Sequence, residues 1–200
     1  VHVQATAPGD KPVDAPRLDF AAFGIYGRHL CAFGGYAGGD LSDRFDRFSL
    51  DGSGWSAPEV HGTPPPACAA SAAAVAVGKL LVFGGEGAAG PSAPLDTLHM
   101  LDLRTFEWSR VTSHGDAPGP RMHAAGAAIG NTLFVHGGWD GQAPTRHMHA
   151  FTMSSNTWEH SDLEAAGERP AARLAHSMAA CGSRLLLYGG KVDLGDGSAG

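Results

Sequence analysis

The sequence predicts an all-β fold: a β-propeller segment built from repeated, four-stranded antiparallel blades. Three observations carry this. Adjacent glycines recur at Gly34-Gly35, Gly84-Gly85, Gly137-Gly138 and Gly189-Gly190, at intervals of 50, 53 and 52 residues. A fixed period of that length marks a stacked-repeat architecture. Each doublet closes a short apolar run whose last residue carries a ring: Phe33, Phe83, His136 and Tyr188. A tryptophan follows the first three doublets, at Trp55, Trp108 and Trp158.

The elements of one repeat follow in order. A small-residue apolar strand comes first; in the second repeat it covers residues 72–77. The alanine-rich stretch around it favours helix by propensity, but it aligns with residues 124–129 and 176–181, so the repeat register assigns it to a strand. A Gly-led turn follows, at Gly27-Arg28, Gly78-Lys79, Gly130-Asn131 and Gly182-Ser183, a hairpin signal between two apolar runs. The second strand is the run that ends in Gly-Gly. A long polar loop leads to a third strand, expected within the eight residues that end at each tryptophan. There apolar residues alternate with a polar one (Phe48, Ser49, Leu50; Leu101, Asp102, Leu103; Phe151, Thr152, Met153), the period of two expected of a strand. A turn near the tryptophan leads to a short last strand. Trp55, Trp108 and Trp158 are expected between blades and buried, and Trp139, which sits in a loop, exposed.

Four antiparallel strands per repeat of about 50 residues describe a propeller blade. The doublets, the alternating segments and the spaced tryptophans together resemble the kelch repeat over nearly the whole chain. The expected organisation is a partial blade at 1–16, blades at about 17–62, 67–115 and 121–164, and a partial blade at 171–200. This reads as a segment of a larger propeller; the alternative is a closed four-bladed ring.

Composition narrows the function classes. The net charge of −6 argues against nucleic acid and anionic membranes as partners. No apolar run approaches the ~20 residues of a membrane helix. Three cysteines, Cys31, Cys68 and Cys181, fit neither a disulfide framework nor a zinc site. They are expected as buried free thiols, which favours a reducing, cytoplasmic location.

The loops after the second and fourth strands share one end of a propeller. They are long and varied: residues 36–43, 86–95 and 139–146, with 61–66, 114–120 and 165–170. The turns at the other end are short. Function rides on long loops over a rigid scaffold, so the long-loop end is the expected recognition surface for a protein or peptide. Tyr36, Arg44, Glu86, Trp139 and Arg146 are the expected binding residues, since aromatic and arginine anchors carry much interface energy.

Other polar residues are read structurally. Arg121 and Arg173 lie nine residues before the hairpin glycine, and kelch repeats often carry an Arg there with a His nearby, as at His123 and His176. The structural reading is an arginine fork bonded to neighbouring-blade carbonyls, and the alternative is an anion site near the channel mouth; Ala69 takes the place in the second repeat, so any charged ring there is incomplete. His147 and His149 would share one strand face, with His99 equivalent one blade earlier, but no carboxylate repeats beside them. No cofactor is expected, and there is no nucleophile elbow, phosphate loop or paired carboxylate at a plausible site. The expected function is a non-catalytic interaction scaffold. The alternative is part of an enzymatic propeller, similar to galactose oxidase or specifier proteins, with its active site completed outside this segment.

Overall fold

The computed structural model describes residues 12–161 and 169–192. The described residues contain strands, turns and loops and no helix. Blade 1 comprises β1 (Pro12–Val13), β2 (Ala22–Tyr26) and β3 (His29–Phe33), the small loop hairpin β4 (Tyr36–Ala37) and β5 (Asp40–Leu41), then β6 (Phe45–Ser49) and β7 (Gly54–Ser56). Blade 2 comprises β8 (His61–Gly62), β9 (Ala72–Ala76), β10 (Lys79–Gly85), β11 (Leu95–Asp102) and β12 (Glu107–Arg110). Blade 3 comprises β13 (His114–Gly115), β14 (Ala125–Ile129), β15 (Thr132–His136), β16 (Met148–Thr152) and β17 (Thr157–His160). The described part of blade 4 comprises β18 (Arg173–Leu174), β19 (Ser177–Cys181), β20 (Arg184–Tyr188) and β21 (Lys191–Val192).

In blades 1 to 3, four strands form an antiparallel meander, ordered β9-β10-β11-β12 in blade 2. A fifth, two-residue strand seals the outer edge. β8 and β13 run parallel to β12 and β17, whereas β1 runs antiparallel to β7. His61–Gly62 and His114–Gly115, expected within recognition loops, therefore lie on the outer edge of the next blade. The third such loop, 165–170, falls mostly outside the described residues.

The innermost strands β2, β9, β14 and β19 pack side by side. This explains their small residues. A side chain on Gly126 would come within 2.8 Å of the Ala73 backbone. The stretch around Ala72–Ala76 is a strand, as its register requires and against its helix propensity.

Two cores lie between blades. Cys31, Phe33, Leu80, Leu101 and Trp108 fill the space between blades 1 and 2. Leu81, Phe83, Leu133, Phe151 and Trp158 fill that between blades 2 and 3. Trp108 packs on Phe33 at 4.9 Å and Trp158 on Phe83 at 5.3 Å, so each tryptophan covers the ring before the preceding blade's doublet. Trp55 is only half-buried and rests on Phe48 of its own blade. Trp139, expected exposed, is also half-buried, because its backbone bridges both Met122 and Pro144.

The doublets make close backbone contact across blades. Gly85 has φ +109° and donates its N–H to Arg121 O at 2.9 Å. A Cβ there would lie 2.8 Å from Ala69 O, so no side chain fits.

Three further sequence expectations need correction. The eight-residue segments ending at tryptophan are hairpins, not strands. Their first residue pairs across the turn with the tryptophan: Phe48↔Trp55, Leu101↔Trp108 and Phe151↔Trp158. The apolar third residue lies in the turn and donates its N–H to the inner hairpin, from Leu50 to Arg28 O, Leu103 to Gly78 O and Met153 to Asn131 O. Those same bonds make Gly78 equivalent to Arg28 and Asn131. Hence Val77, with φ +48°, takes the first turn position that glycine holds elsewhere. Finally, Cys31 and Cys68 are buried and free, but Cys181 is exposed.

Candidate protein-interaction face

The long-loop end is built from two backbone rows. The residue after each doublet, Tyr36, Glu86, Trp139 and Lys191, pairs antiparallel with the chain entering its own blade, at Asp19, Ala69, Met122 and Leu174. Directly after those partners come Phe20, Ala70, His123 and Ala175, all left-handed, with φ of 57°, 56°, 55° and 53°. Each N–H after the first donates to its predecessor's carbonyl: Ala70 to Phe20 at 2.8 Å, His123 to Ala70 at 2.7 Å and Ala175 to His123 at 2.9 Å. Positive φ is uncommon outside glycine. Here the cross-blade hydrogen bond sets it, repeated blade by blade.

The predicted binding residues occupy distinct places in this frame. Tyr36 and Glu86 come together, although they stand on different blades: burial, then the hydrogen bond to Glu86 and its charge, hold the Tyr36 phenol above its ordinary pKa. Arg44 is exposed, but its guanidinium is engaged by the buried Asp46, 2.7 Å away. Burial raises the Asp46 carboxyl pKa and Arg44 opposes this. Arg146 and His147 line a cavity of about 410 Å³ between the blade 3 loop and Ala171-Ala172. Asp140 borders the same cavity, and its carboxylate accepts the N–H groups of Gln142 and Ala143 at 2.8 Å each. These bonds hold its pKa below the usual range. Trp139 lies at the base of that loop. Sequence reasoning missed Phe20 and Lys191 and read His123 only as the neighbour of an arginine. The signal was their spacing: Phe20, Ala70, His123 and Ala175 repeat at the intervals of the doublets, but with unlike residues.

The arginines bond their own blade. Arg121 donates to Gly119 O at 3.0 Å and Gly137 O at 3.4 Å; Arg173 donates to Ala171 O at 3.1 Å and Gly189 O at 2.9 Å. Their backbone carbonyls, not their side chains, reach the preceding blade, accepting from Gly85 and Gly138 at 2.9 Å. By that criterion Cys68, which accepts from Gly35, holds the arginine place in blade 2, not Ala69. Ser71 takes over the side-chain task there, bonding Gly84 O at 3.0 Å.

The histidines are equally specific. His99 and His149 share a register with Asp46, and all three are buried. His149 Nδ1 meets Asp116 O at 3.1 Å, and His147 meets His160 at 3.3 Å. His136 and His176 form a buried pair across blades 3 and 4, Nδ1 to Nε2 at 2.9 Å. Among the described residues no group of three or more His, Cys, Asp or Glu is arranged to hold a metal ion.

Comparison with known proteins matches this architecture. A family model described as the KLHDC2/KLHL20/DRC7 Kelch-repeats domain covers residues 4–196. Acyl-CoA-binding domain-containing protein 5 of Arabidopsis thaliana is 38% identical over 136 residues, 67% of this chain and 20% of that protein. The Rab9 effector protein with kelch motifs of Mus musculus is 35% identical over 130 residues, 63% of this chain and 34% of that protein. Kelch domain-containing protein 2 of Bos taurus is 29% identical over 209 residues, 91% of this chain and 50% of that protein. The chain thus spans half or less of the length of these relatives. With its doublets, inter-blade tryptophans and blade topology in place, the chain belongs to the kelch-repeat family.

Proposed function

We propose that the chain is a non-catalytic interaction scaffold whose long-loop end binds another protein or peptide. The observation that carries this is the contrast between its two ends. One end consists of tight inner hairpins and the turns that bond to them. The other presents loops of different length and chemistry on a hydrogen-bonded backbone frame. Rigid support under varied loops is what recognition requires, because little ordering cost is paid on binding. A relative described as a Rab9 effector supports a protein partner in this family. Tyr36, Glu86, Trp139 and Arg146 are the anchors on this reading, and Arg44 shapes its loop through Asp46.

The test is capture of partners by the intact full-length protein. Trp139→Ala and Arg146→Ala should each weaken capture by about 1 kcal/mol or more if they are hot spots. Arg28→Ala and Asn131→Ala, in the inner hairpins, should leave it unchanged. Loss in the hairpin variants with retention in the loop variants would assign binding to the opposite end. Turnover of a small molecule by the purified protein without any partner would replace the scaffold reading with an enzymatic one.

A further inference from the structure

At the long-loop end the backbone frame sets Phe20 and Tyr36 of blade 1 beside Glu86 of blade 2, with His123 of blade 3 adjoining. The Phe20 ring is 59% exposed although its backbone is left-handed, a combination that neither burial nor local propensity favours. The ring stands edge-on to His123, 5.3 Å between centroids, across the small Ala70 that hydrogen-bonds to both residues. Behind Ala70 lies Glu86, whose backbone pairs with Ala69. The Glu86 charge acts on both neighbours: it adds to the burial that raises the Tyr36 phenol, and it opposes the burial that lowers His123. Among the described residues Glu86 forms no ion pair.

Acidic side chains predominate around it, with Arg17 the exposed exception near Asp19. Asp19, Asp40, Asp43 and Asp96 are exposed at the same end of these two blades. The arginine of the blade 1 loop, Arg44, is already bound to Asp46. The chain as a whole carries −6, which draws basic segments toward it.

We propose that this cluster is a subsite for a basic side chain, lysine or arginine, of the partner protein. The cation lies against the rings of Phe20 and Tyr36 and pairs with the Glu86 carboxylate. Ring faces attract cations, and a carboxylate completes the site with a charge-assisted hydrogen bond. This rests on the protein-binding reading above and adds to it the chemistry of one contact.

The test is an amide-shift titration of the chain with Nα-acetyl-arginine amide and Nα-acetyl-lysine amide, with Nα-acetyl-norleucine amide as the uncharged control. Saturable shifts centred on residues 20, 36, 86 and 123 are expected with the two cations and not with norleucine. Glu86→Gln and Phe20→Ala should each weaken the response fivefold or more, with melting curves verifying that both variants stay folded. Asn131→Ala, in an inner hairpin at the opposite end, should leave it unchanged. Absence of saturable shifts, a response undiminished in Glu86→Gln, or shifts centred on Arg146 would overturn the subsite. Partner capture separates the two readings. If capture falls in Trp139→Ala and Arg146→Ala but not in Glu86→Gln, the binding face stands and the cation subsite falls.

Discussion

At His136 the repeat changes its chemistry without changing its shape. The other blades place Phe33, Phe83 or Tyr188 before the doublet; here an imidazole fills the place and meets His176 from the next blade. His136 also bonds the Arg146 backbone. The pair leaves His176 Nδ1 buried without a partner. Burial, with the nearby Arg173, lowers both pKa values to about 4. Burial also lowers His99 to about 4. Folded pKa values below the unfolded 6.5 mean that the unfolded chain binds more protons in between. The stability from neutral histidines is therefore complete above pH 6.5 and is lost as pH falls through 4. A loss of several kcal/mol by pH 4.5, roughly 2 for each of the three histidines, is expected in denaturant melts. The interface between blades 1 and 2 shows how to remove the pair's share, because Phe33 and Ser71 hold the equivalent positions there. The double variant His136→Phe/His176→Ser should keep its neutral-pH stability and show a flatter decline below pH 6.5. An unchanged decline would mean that the acid sensitivity lies elsewhere.

Hairpins show how far each element can be read from sequence. In blades 1, 3 and 4, glycine alone takes the positive φ, at the first turn position, as a type II′ turn requires. In blade 2 both Val77 and Gly78 have positive φ, at 48° and 73°, the pattern of a type I′ turn. A β-branched residue is poorly suited to that region, and Val77 is 70% exposed, so no packing offsets the strain. Val77→Asn should therefore stabilise the domain by about 0.5–1 kcal/mol in urea melts; an unchanged or lower midpoint would contradict the turn assignment. Glycine signals a turn but not its place within it, which is why the sequence register slipped by one residue here. The third strand slipped for a similar reason. Leu103 is apolar because it is buried in the turn, and two alternating positions cannot tell a strand from a hairpin closing on itself. The doublets and the tryptophans were legible because each meets the same neighbour in successive blades: Gly85 the Arg121 carbonyl, Trp108 the Phe33 ring. The left-handed Phe20 and His123 left no local trace, since hydrogen bonds from other blades impose their conformation.

Across the whole molecule, blades are joined by two kinds of contact. Ring-on-ring cores lie between the sheets, and a hydrogen-bonded backbone row links Phe20, Ala70, His123 and Ala175 at the long-loop end. The row holds the bases of the loops in fixed relation while the loops differ in composition. That division between frame and loops is the physical basis of the functional proposal. Apolar side chains also stand open on the first and last described blades, Phe23 and Ile25 on one, Leu186 and Tyr188 on the other; sheet faces of this kind bury their apolar side against a neighbour in repeat folds. The central claim remains that recognition occurs at the long-loop end. Hydrogen exchange on the full-length protein, with and without its captured partner, tests it most directly. Binding is expected to slow exchange in residues 36–44, 86–95 and 139–147 and leave the inner hairpins at 27–28, 77–78 and 130–131 unchanged. Protection confined to those hairpins, with the long loops unaffected, would contradict it.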